Sequence, residues 1–307
     1  MRVVQKSKLG SFYTAVKNLP NIFPMPPNER PQLTEPAESL PRPQTLLLML
    51  LGDFVLDQGV CVFSGSVIDT LARLGVSSHA ARSTLTRMVG RDLLRRQRDG
   101  RKMYFGLTPR ATAILHDGRR RIWETGAVND TWDGTWTLLC FSLPESWQRQ
   151  RHDLRSQLTW AGFGPLQGGL WIAPGQVSAQ EIVSGLGLAA HARVFRARAD
   201  ELTDIAAMVG DAYDLAEVAA RYQGFLDRWD GEPPVSDPLA ARLRLVAEWL
   251  GAIRRDPRLP VEHLPPGWPA VRAQKLFREL EASGLEPARA IAATLLDLRP
   301  DEDAGLS

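Results

Sequence analysis

The chain has 307 residues, of which 44% are hydrophobic and 23% are charged, so it is expected to fold into about two or three domains of ordinary size. Its two cysteines, Cys61 and Cys140, form no CxxC pair and lie in no histidine cluster. This pattern argues against a disulfide framework and a zinc site and favours a cytoplasmic location. No run of residues approaches the roughly 18 uncharged apolar positions of a membrane-spanning helix. We therefore expect no membrane partner, and we assign no metal and no cofactor.

The positive charge is concentrated in one segment. Between Arg73 and Arg121 there are thirteen Arg or Lys residues and three acids, whereas the whole chain has a formal net charge of only +2, so the rest of the chain is acidic. Because contacts to phosphates supply most non-specific DNA affinity, a basic module on an acidic body predicts double-stranded DNA as its partner. The alternative is that these arginines only keep the domain soluble, but solubilising surfaces mix both signs of charge.

The two ends of the chain differ in composition from the rest. Residues 1–42 begin with basic residues, and eight prolines follow between Pro20 and Pro43. They lack the apolar core of a signal peptide, so they are predicted to be a flexible, proline-rich arm. Whether this arm contacts DNA, lies on the body or is an extension from an upstream start codon stays open. Residues 301–307 are predicted to be a short tail.

Residues 43–123 are predicted to form a winged helix-turn-helix domain. Apolar residues at helical spacing indicate one helix that Gly75 ends, and a second helix, capped by Ser77 or Ser78, that runs to about Gly90. Two short strand-like runs then flank the hairpin-turn signal Asp99-Gly100, and they are predicted to be the wing. Two further helices are expected in this domain, over 45–54 and 110–120.

Ten side chains of this domain are candidates for DNA contact. Arg82 and Arg87 are the candidates for base edges, because a guanidinium can pair with guanine through two hydrogen bonds and discriminate by about 1 to 3 kcal/mol. An exposed residue without a role is the alternative for His79, whereas Phe105 is expected in the core. The remaining candidates are Ser78, His79, Ser83 and Thr86 on the helix, and Arg96, Arg98, Arg101 and Lys102 on the wing.

Residues 135–199, which follow a linker over 124–134, alternate between short strands and helices. This pattern is typical of a small ferredoxin-like α+β domain, and we expect the domain to mediate dimerisation. The predicted strands cover 136–141, 163–167, 170–173 and 192–197, and the predicted helices cover 149–161 and 178–186.

Residues 200–300 return to helical spacing and are predicted to form a helical C-terminal domain with a role in effector binding or dimer contact. Helices are expected over 214–229, 239–253 and 271–280. The prolines between them, over 256–260 and 264–269, are expected to fix the path of the loops. The fold class is therefore predicted to be α+β and multidomain.

Three groups of residues occur in the order expected for one family. They are Leu50-Leu51-Gly52-Asp53 with Gly100-Arg101-Lys102-Met103-Tyr104; Trp160-Ala161-Gly162-Phe163-Gly164 with Trp171-Ile172-Ala173-Pro174; and Asp256-Pro257-Arg258-Leu259-Pro260 with Leu264-Pro265 and Trp268-Pro269. In these groups the chain resembles the PaaX-type transcriptional repressors, which regulate phenylacetate catabolism. The resemblance covers roughly residues 43 to 296, and the arm over 1–42 has no counterpart in it.

The resemblance implies a homodimeric repressor that binds a palindromic operator and is released from it by an acyl-coenzyme A such as phenylacetyl-coenzyme A. Such an effector needs a cationic patch for its phosphates and an apolar slot for its acyl group. Arg193, Arg196 and Arg198 are expected to point outward from one strand, near arginines of a helix. The alternative is that these arginines discourage aggregation at a sheet edge, and large aromatics are usually core residues. The effector-binding candidates are Arg155, Arg193, Arg196 and Trp171.

Two alternatives come from other functional classes. The middle region resembles the small CRISPR-associated nucleases, which hold a metal with an aspartate at the end of their first strand. Here that strand ends Phe141-Ser142-Leu143-Pro144, so the carboxylate is missing, and no catalytic residues are assigned. The second alternative is a constitutive DNA-binding protein without an effector, which would not need such a large body behind its DNA reader.

Overall fold

The computed structural model describes residues 40–167 and 169–302. All but the last three residues of the predicted arm, and all but the first two of the predicted tail, lie outside this part. The described part combines helices with two antiparallel sheets, each of four strands, which confirms the α+β class. The chain divides into two compact units: the first comprises the residues up to 124, 228–250 and those from 277 on, and the second comprises 125–227 and 251–276.

The helices and strands are numbered in chain order within the described residues. The α-helices are α1 Pro43–Phe54, α2 Ser64–Ala72, α3 Ser78–Gly90, α4 Pro109–Arg119, α5 Gln148–Trp160, α6 Ala179–Gly185, α7 Ile205–Ala212, α8 Leu215–Trp229, α9 Pro238–Ile253 and α10 Pro269–Leu295. The strands are β1 Val60–Phe63, β2 Leu94–Asp99, β3 Lys102–Leu107, β4 Thr135–Phe141, β5 Gly164–Pro165, β6 Leu170–Pro174, β7 Ala192–Arg198 and β8 Leu298–Pro300. A π-helical turn covers Arg120–Thr125, and short 3-10 turns cover Ala189–His191 and Val261–His263.

Apolar runs and turn residues explain the N-terminal elements. α1 starts at Pro43, whose missing N–H costs nothing in the first turn, and all six residues of Leu46–Leu51 are buried. α2 and α3 are separated by a turn in which Gly75 has a φ of +79°, a value that favours glycine. The hairpin of β2 and β3 turns at Gly100-Arg101, with Asp99 opposite Lys102. The predicted helices and hairpin of this region are thereby confirmed.

The first sheet has the strand order β2-β3-β1-β8, so its last strand comes from the far end of the chain. β8 pairs antiparallel with β1, with Val62 opposite Leu298 and Val60 opposite Pro300. Neither β1 nor β8 is predicted from the sequence. A three-residue strand has too few positions to show alternation, and its conformation depends on the strand beside it.

The second sheet, β5-β6-β4-β7, is built from consecutive elements of the second unit. β4 lies in its centre and pairs antiparallel with β6 and β7. Leu139 on one face of the sheet packs with Leu154 and Leu158 of α5, whereas Trp136 on the other face packs with Val209 of α7. The four predicted strands and both predicted helices of this region are present, with ends shifted by at most a few residues.

The C-terminal helices differ most from their predicted bounds. α8 and α9 match, but α10 continues to Leu295 instead of ending near Leu280. Gly284 and Pro287 are residues that commonly end a helix, yet buried Ala288 and Ala292 carry the apolar face onward. In the described ranges, no helix is both long and apolar enough to span a bilayer.

Candidate nucleic-acid interface

α3 has one buried face and one polar face. Ala81, Leu85 and Met88 are buried and hold the helix against the first unit. The side chain of Ser77 caps its start, because its Oγ accepts a hydrogen bond from the Ala80 N–H at 3.2 Å. Of the six predicted contact residues on α3, Ser83 is half-buried and the other five are exposed: Ser78, His79, Arg82, Thr86 and Arg87.

The two arginines predicted to read bases are held differently. Arg87 donates from Nη2 to Thr84 Oγ1 at 3.0 Å, and that hydroxyl in turn donates to the Ala80 carbonyl at 2.8 Å. Arg87 is therefore tethered to its own helix. No described residue gives Arg82 a hydrogen bond or an ion pair. Among the described residues, Arg82 is thus the arginine of α3 without a hydrogen-bond partner, whereas Arg87 is exposed but bonded within its own helix.

The hairpin of β2 and β3 places three of its predicted contact residues in solvent. Arg96 and Arg98 lie on one face of β2, and Arg101 lies in the turn. All three are exposed, and within the described ranges none of them has an acidic partner. Arg98 donates from Nε to the Gly100 carbonyl at 3.1 Å, which keeps its side chain near the tip of the hairpin.

Lys102 differs from these arginines, because its Nζ lies 2.7 Å from Asp297 Oδ2. Arg95, which lies on β2 opposite Gly106, forms an ion pair with Asp301. Neither aspartate was singled out by the sequence analysis, since both are far away in the sequence and follow no motif. Phe105 is only 6% exposed, which confirms its prediction as a core residue.

Most other cations of the basic segment are also paired with acids of the first unit. Arg73 forms an ion pair with Asp237, and Arg119 lies 2.8 Å from Asp57. Arg120 and Arg121 share Asp117, at 2.6 and 2.8 Å. Arginines that lack an acidic partner among the described residues are therefore concentrated on α3 and on the hairpin.

The residues proposed from the resemblance as effector contacts do not form one cluster. Trp171 belongs to a buried core with Leu154, so it is not exposed to a ligand. β7 is a regular strand in which Arg193 lies opposite Cys140 and Arg196 lies opposite Thr137. Residues three apart in a strand point to opposite faces, so Arg193 and Arg196 lie on opposite sides of the sheet. Arg155 on α5 is exposed.

The strand that was compared with nuclease strands ends at Phe141 and is followed by Ser142, whose N–H donates to the His191 carbonyl at 3.0 Å. Among the described residues, no three His, Cys, Asp or Glu side chains come together in a way that could hold a metal ion.

Comparison with known proteins places the chain in a family. Three family models match it in order: "PaaX-like protein" over residues 42–111, "PaaX protein central Cas2-like domain" over 129–209, and "PaaX-like protein C-terminal domain" over 213–294. The chain belongs to the PaaX family. It is 27% identical over 248 residues to the transcriptional repressor PaaX of Escherichia coli K12, covering 76% of this chain and 77% of that protein.

A solved structure shares the fold. It is the uncharacterized protein Rv0674 from Mycobacterium tuberculosis, with a TM-score of 0.56 and 23% sequence identity. The match covers 82% of this chain and 99% of that one, so the likeness extends over both units.

Proposed function

We propose that this protein is a sequence-specific DNA-binding transcriptional regulator, and that it acts as a dimeric repressor of a catabolic operon of the phenylacetate type. The observation that carries the proposal is the exposure of Arg82 on α3 together with Arg96, Arg98 and Arg101 on the hairpin, while most other cations of the segment are paired with acids. The family membership supports it, and the Escherichia coli relative is named a transcriptional repressor.

In this proposal α2, α3 and the hairpin form a winged helix-turn-helix. α3 enters the major groove, where Arg82 pairs with a guanine. Ser78 and His79, at the N-terminal end of the helix, approach a phosphate, where the backbone N–H groups and the helix dipole favour an anion. The hairpin arginines contact the flanking backbone and supply affinity that does not depend on sequence.

The second unit is proposed to mediate dimerisation through a ferredoxin-like domain. Its elements follow in the order strand, helix, two strands, helix and strand, and its sheet is antiparallel with the order β5-β6-β4-β7, which supports this assignment. Two copies would read a palindrome whose half-sites are about one or two helical turns apart.

An acyl-coenzyme A such as phenylacetyl-coenzyme A is proposed as the effector. Arg196 lies on the sheet face that α5 covers, so Arg155 and Arg196 are retained as candidates for the phosphates. Trp171 is a core residue and Arg193 faces the opposite side of the sheet, so these two would not share one site with Arg155 and Arg196. No reaction is assigned to the chain.

Selection of bound duplexes from a random pool tests the proposed function. We expect the wild-type chain to enrich a palindromic motif and Arg82→Ala to lose that enrichment. Arg120→Ala removes an exposed arginine that is paired with Asp117, and it is the matched control that should enrich the same motif. Failure of the wild-type chain to bind any duplex in dilute salt would overturn the proposal.

Titration of the selected complex with acyl thioesters tests the effector. Release by phenylacetyl-coenzyme A but not by coenzyme A alone is expected. If no thioester releases the DNA, the protein is a constitutive binder and the effector part of the proposal is wrong.

A further inference from the structure

The residues that follow α10 return to the first sheet and bind it with both backbone and side chains. We call residues 297–302 the C-terminal clamp. Besides the pairing of β8 with β1, the Phe63 N–H donates to the Asp297 carbonyl at 2.9 Å, and the Asp301 N–H donates to the Gly59 carbonyl at 2.8 Å. The clamp is therefore held along the whole length of β1.

Asp297 forms the first contact between the clamp and the hairpin. Its Oδ2 accepts hydrogen bonds from Lys102 Nζ at 2.7 Å and from the Tyr104 hydroxyl at 3.0 Å. Its backbone N–H donates to Ser66 Oγ at 3.0 Å. The hydrogen bond from Lys102 lowers the pKa of the Asp297 carboxyl, so it is ionised and opposes the lysine charge at neutral pH.

Asp301 forms the second contact, with Arg95 of β2. The two side chains meet over Gly106, where a Cβ would lie only 3.0 Å from Asp301 Oδ2 and 2.7 Å from Cys61 Sγ, so a side chain at this position would clash. Gln97 adds two hydrogen bonds, since its Nε2 donates to the Pro300 carbonyl at 3.1 Å and its Oε1 accepts from the Glu302 N–H at 3.4 Å.

The clamp acts on one face of the hairpin only. Strand alternation and the register of β2 with β3 place Arg95 and Lys102 on the face that the clamp covers. Arg96 and Arg98 lie on the other face, and Arg101 lies in the turn. The hairpin cations are thus divided into two paired with clamp carboxylates and three without an acidic partner in the described part of the chain.

We propose that the C-terminal clamp competes with DNA phosphates for the hairpin, so that Asp297 and Asp301 neutralise Lys102 and Arg95 and leave contact with duplex DNA to Arg96, Arg98 and Arg101. The carboxylates form ion pairs with these cations in the way that phosphate oxygens would. They thereby lower the affinity of the hairpin for DNA of any sequence. This inference rests on the proposed function, in which the hairpin contacts DNA. It makes Asp297 and Asp301 positioning residues, since they act through their basic partners.

Binding of a random-sequence duplex by Asp297→Asn, measured by fluorescence anisotropy between about 50 and 200 mM salt, tests the proposal. Asparagine keeps an oxygen that can accept from Tyr104 and removes only the charge. One released hairpin cation should steepen the slope of log affinity against log salt by about one, so a several-fold gain in affinity at low salt should shrink about fourfold over this range.

Two further variants separate the local effect from a change in net charge. Glu286→Gln removes the same charge from a carboxylate paired with Arg289 on α10, and its slope should match that of the wild-type chain. Lys102→Gln should cost little DNA affinity in the wild-type chain but should remove most of the gain of Asp297→Asn, because Lys102 Nζ lies 2.7 Å from the Asp297 carboxylate, whereas Arg299 Nε, another cation beside it, lies at 3.9 Å. A slope for Asp297→Asn equal to that of Glu286→Gln would overturn the proposal.

The same titrations distinguish this failure from a failure of the proposed function. If the wild-type chain binds no duplex, the proposed function is wrong. If the wild-type chain binds duplex but Asp297→Asn does not raise the affinity, only the proposal for the clamp is wrong. If thermal unfolding shows that Asp297→Asn does not fold, the same salt titration with Asp301→Asn tests the proposal instead. This variant should steepen the slope of log affinity against log salt, because it releases Arg95. An unchanged slope overturns the proposal.

Discussion

Arg242 and Arg82 are both in the first unit, and their surroundings are opposite. The Arg242 side chain is only 5% exposed, donates from Nε to Asp53 at 2.8 Å and from Nη1 to Glu281 at 3.1 Å, and holds α9 to α1 and α10. Arg82 is exposed and has no partner among the described residues. An arginine of this unit therefore contributes to stability or to binding according to the acids around it. The number of arginines in a segment therefore overstates the charge that a ligand meets.

The largest expected effect is at the buried arginine. Arg242→Ala leaves Asp53 and Glu281 without their shared cation, and burial already raises the pKa of the Asp53 carboxyl. Removal of one partner of a buried ion pair typically costs about 3 to 5 kcal/mol. Urea unfolding should show that the free energy of unfolding falls by this amount. Arg289→Ala is the control, because it removes an exposed ion pair on α10. Its free energy of unfolding should fall by less than about 1 kcal/mol. Equal losses in the two variants would refute a stabilising role for the buried cluster.

At the exposed arginine of α3 the expected loss is in DNA binding. Arg82→Ala should weaken the free energy of binding to the selected operator by about 1 to 3 kcal/mol, because one base contact is lost. Binding to random duplex should change little. Urea unfolding should give nearly the wild-type stability. Equal losses on both duplexes would remove Arg82 from base recognition and would make it a phosphate contact.

Arg101 in the hairpin turn should show a smaller effect that is uniform across sequences. Arg101→Ala should weaken binding to operator and random duplex alike and flatten the salt slope by about one. Arg119→Ala removes an arginine that is paired with Asp57, and its slope should change less. If Arg119→Ala flattened the slope as much as Arg101→Ala, the distinction between paired and unpaired arginines would not hold.

The smallest expected effect is the pH dependence of the clamp. Lys102 holds the pKa of Asp297 below its ordinary value of 3.8, so the folded state favours the ionised carboxyl. Its contribution to stability is therefore present above about pH 3.8 and is lost as the pH falls through the lowered pKa. The difference in stability between the wild-type chain and Asp297→Asn should narrow as the pH is lowered from about 5 to about 3. A difference that does not change with pH would mean that the Asp297 charge contributes nothing to folding.

Patterns within short segments allowed most elements to be predicted. The start of α3 follows from Gly75 and the serine cap, and the hairpin turn follows from Asp99-Gly100. The predicted polar face of α3 is also found, since five of its six candidate residues are exposed. The effector candidates do not come together in the same way, because Trp171 is a core residue and Arg193 and Arg196 lie on opposite faces of β7.

The order of the helices and strands, the position of the basic segment and the solvent-facing side of α3 all follow from local sequence patterns. These depend on periodicity and turn chemistry, which act over a few residues. Which cations are left without an acidic partner depends instead on contacts between distant parts of the chain. Lys102 and Asp297 are 195 positions apart, and β8 becomes a strand only beside β1. Such pairings depend on the path of the whole chain, so no local pattern predicts them.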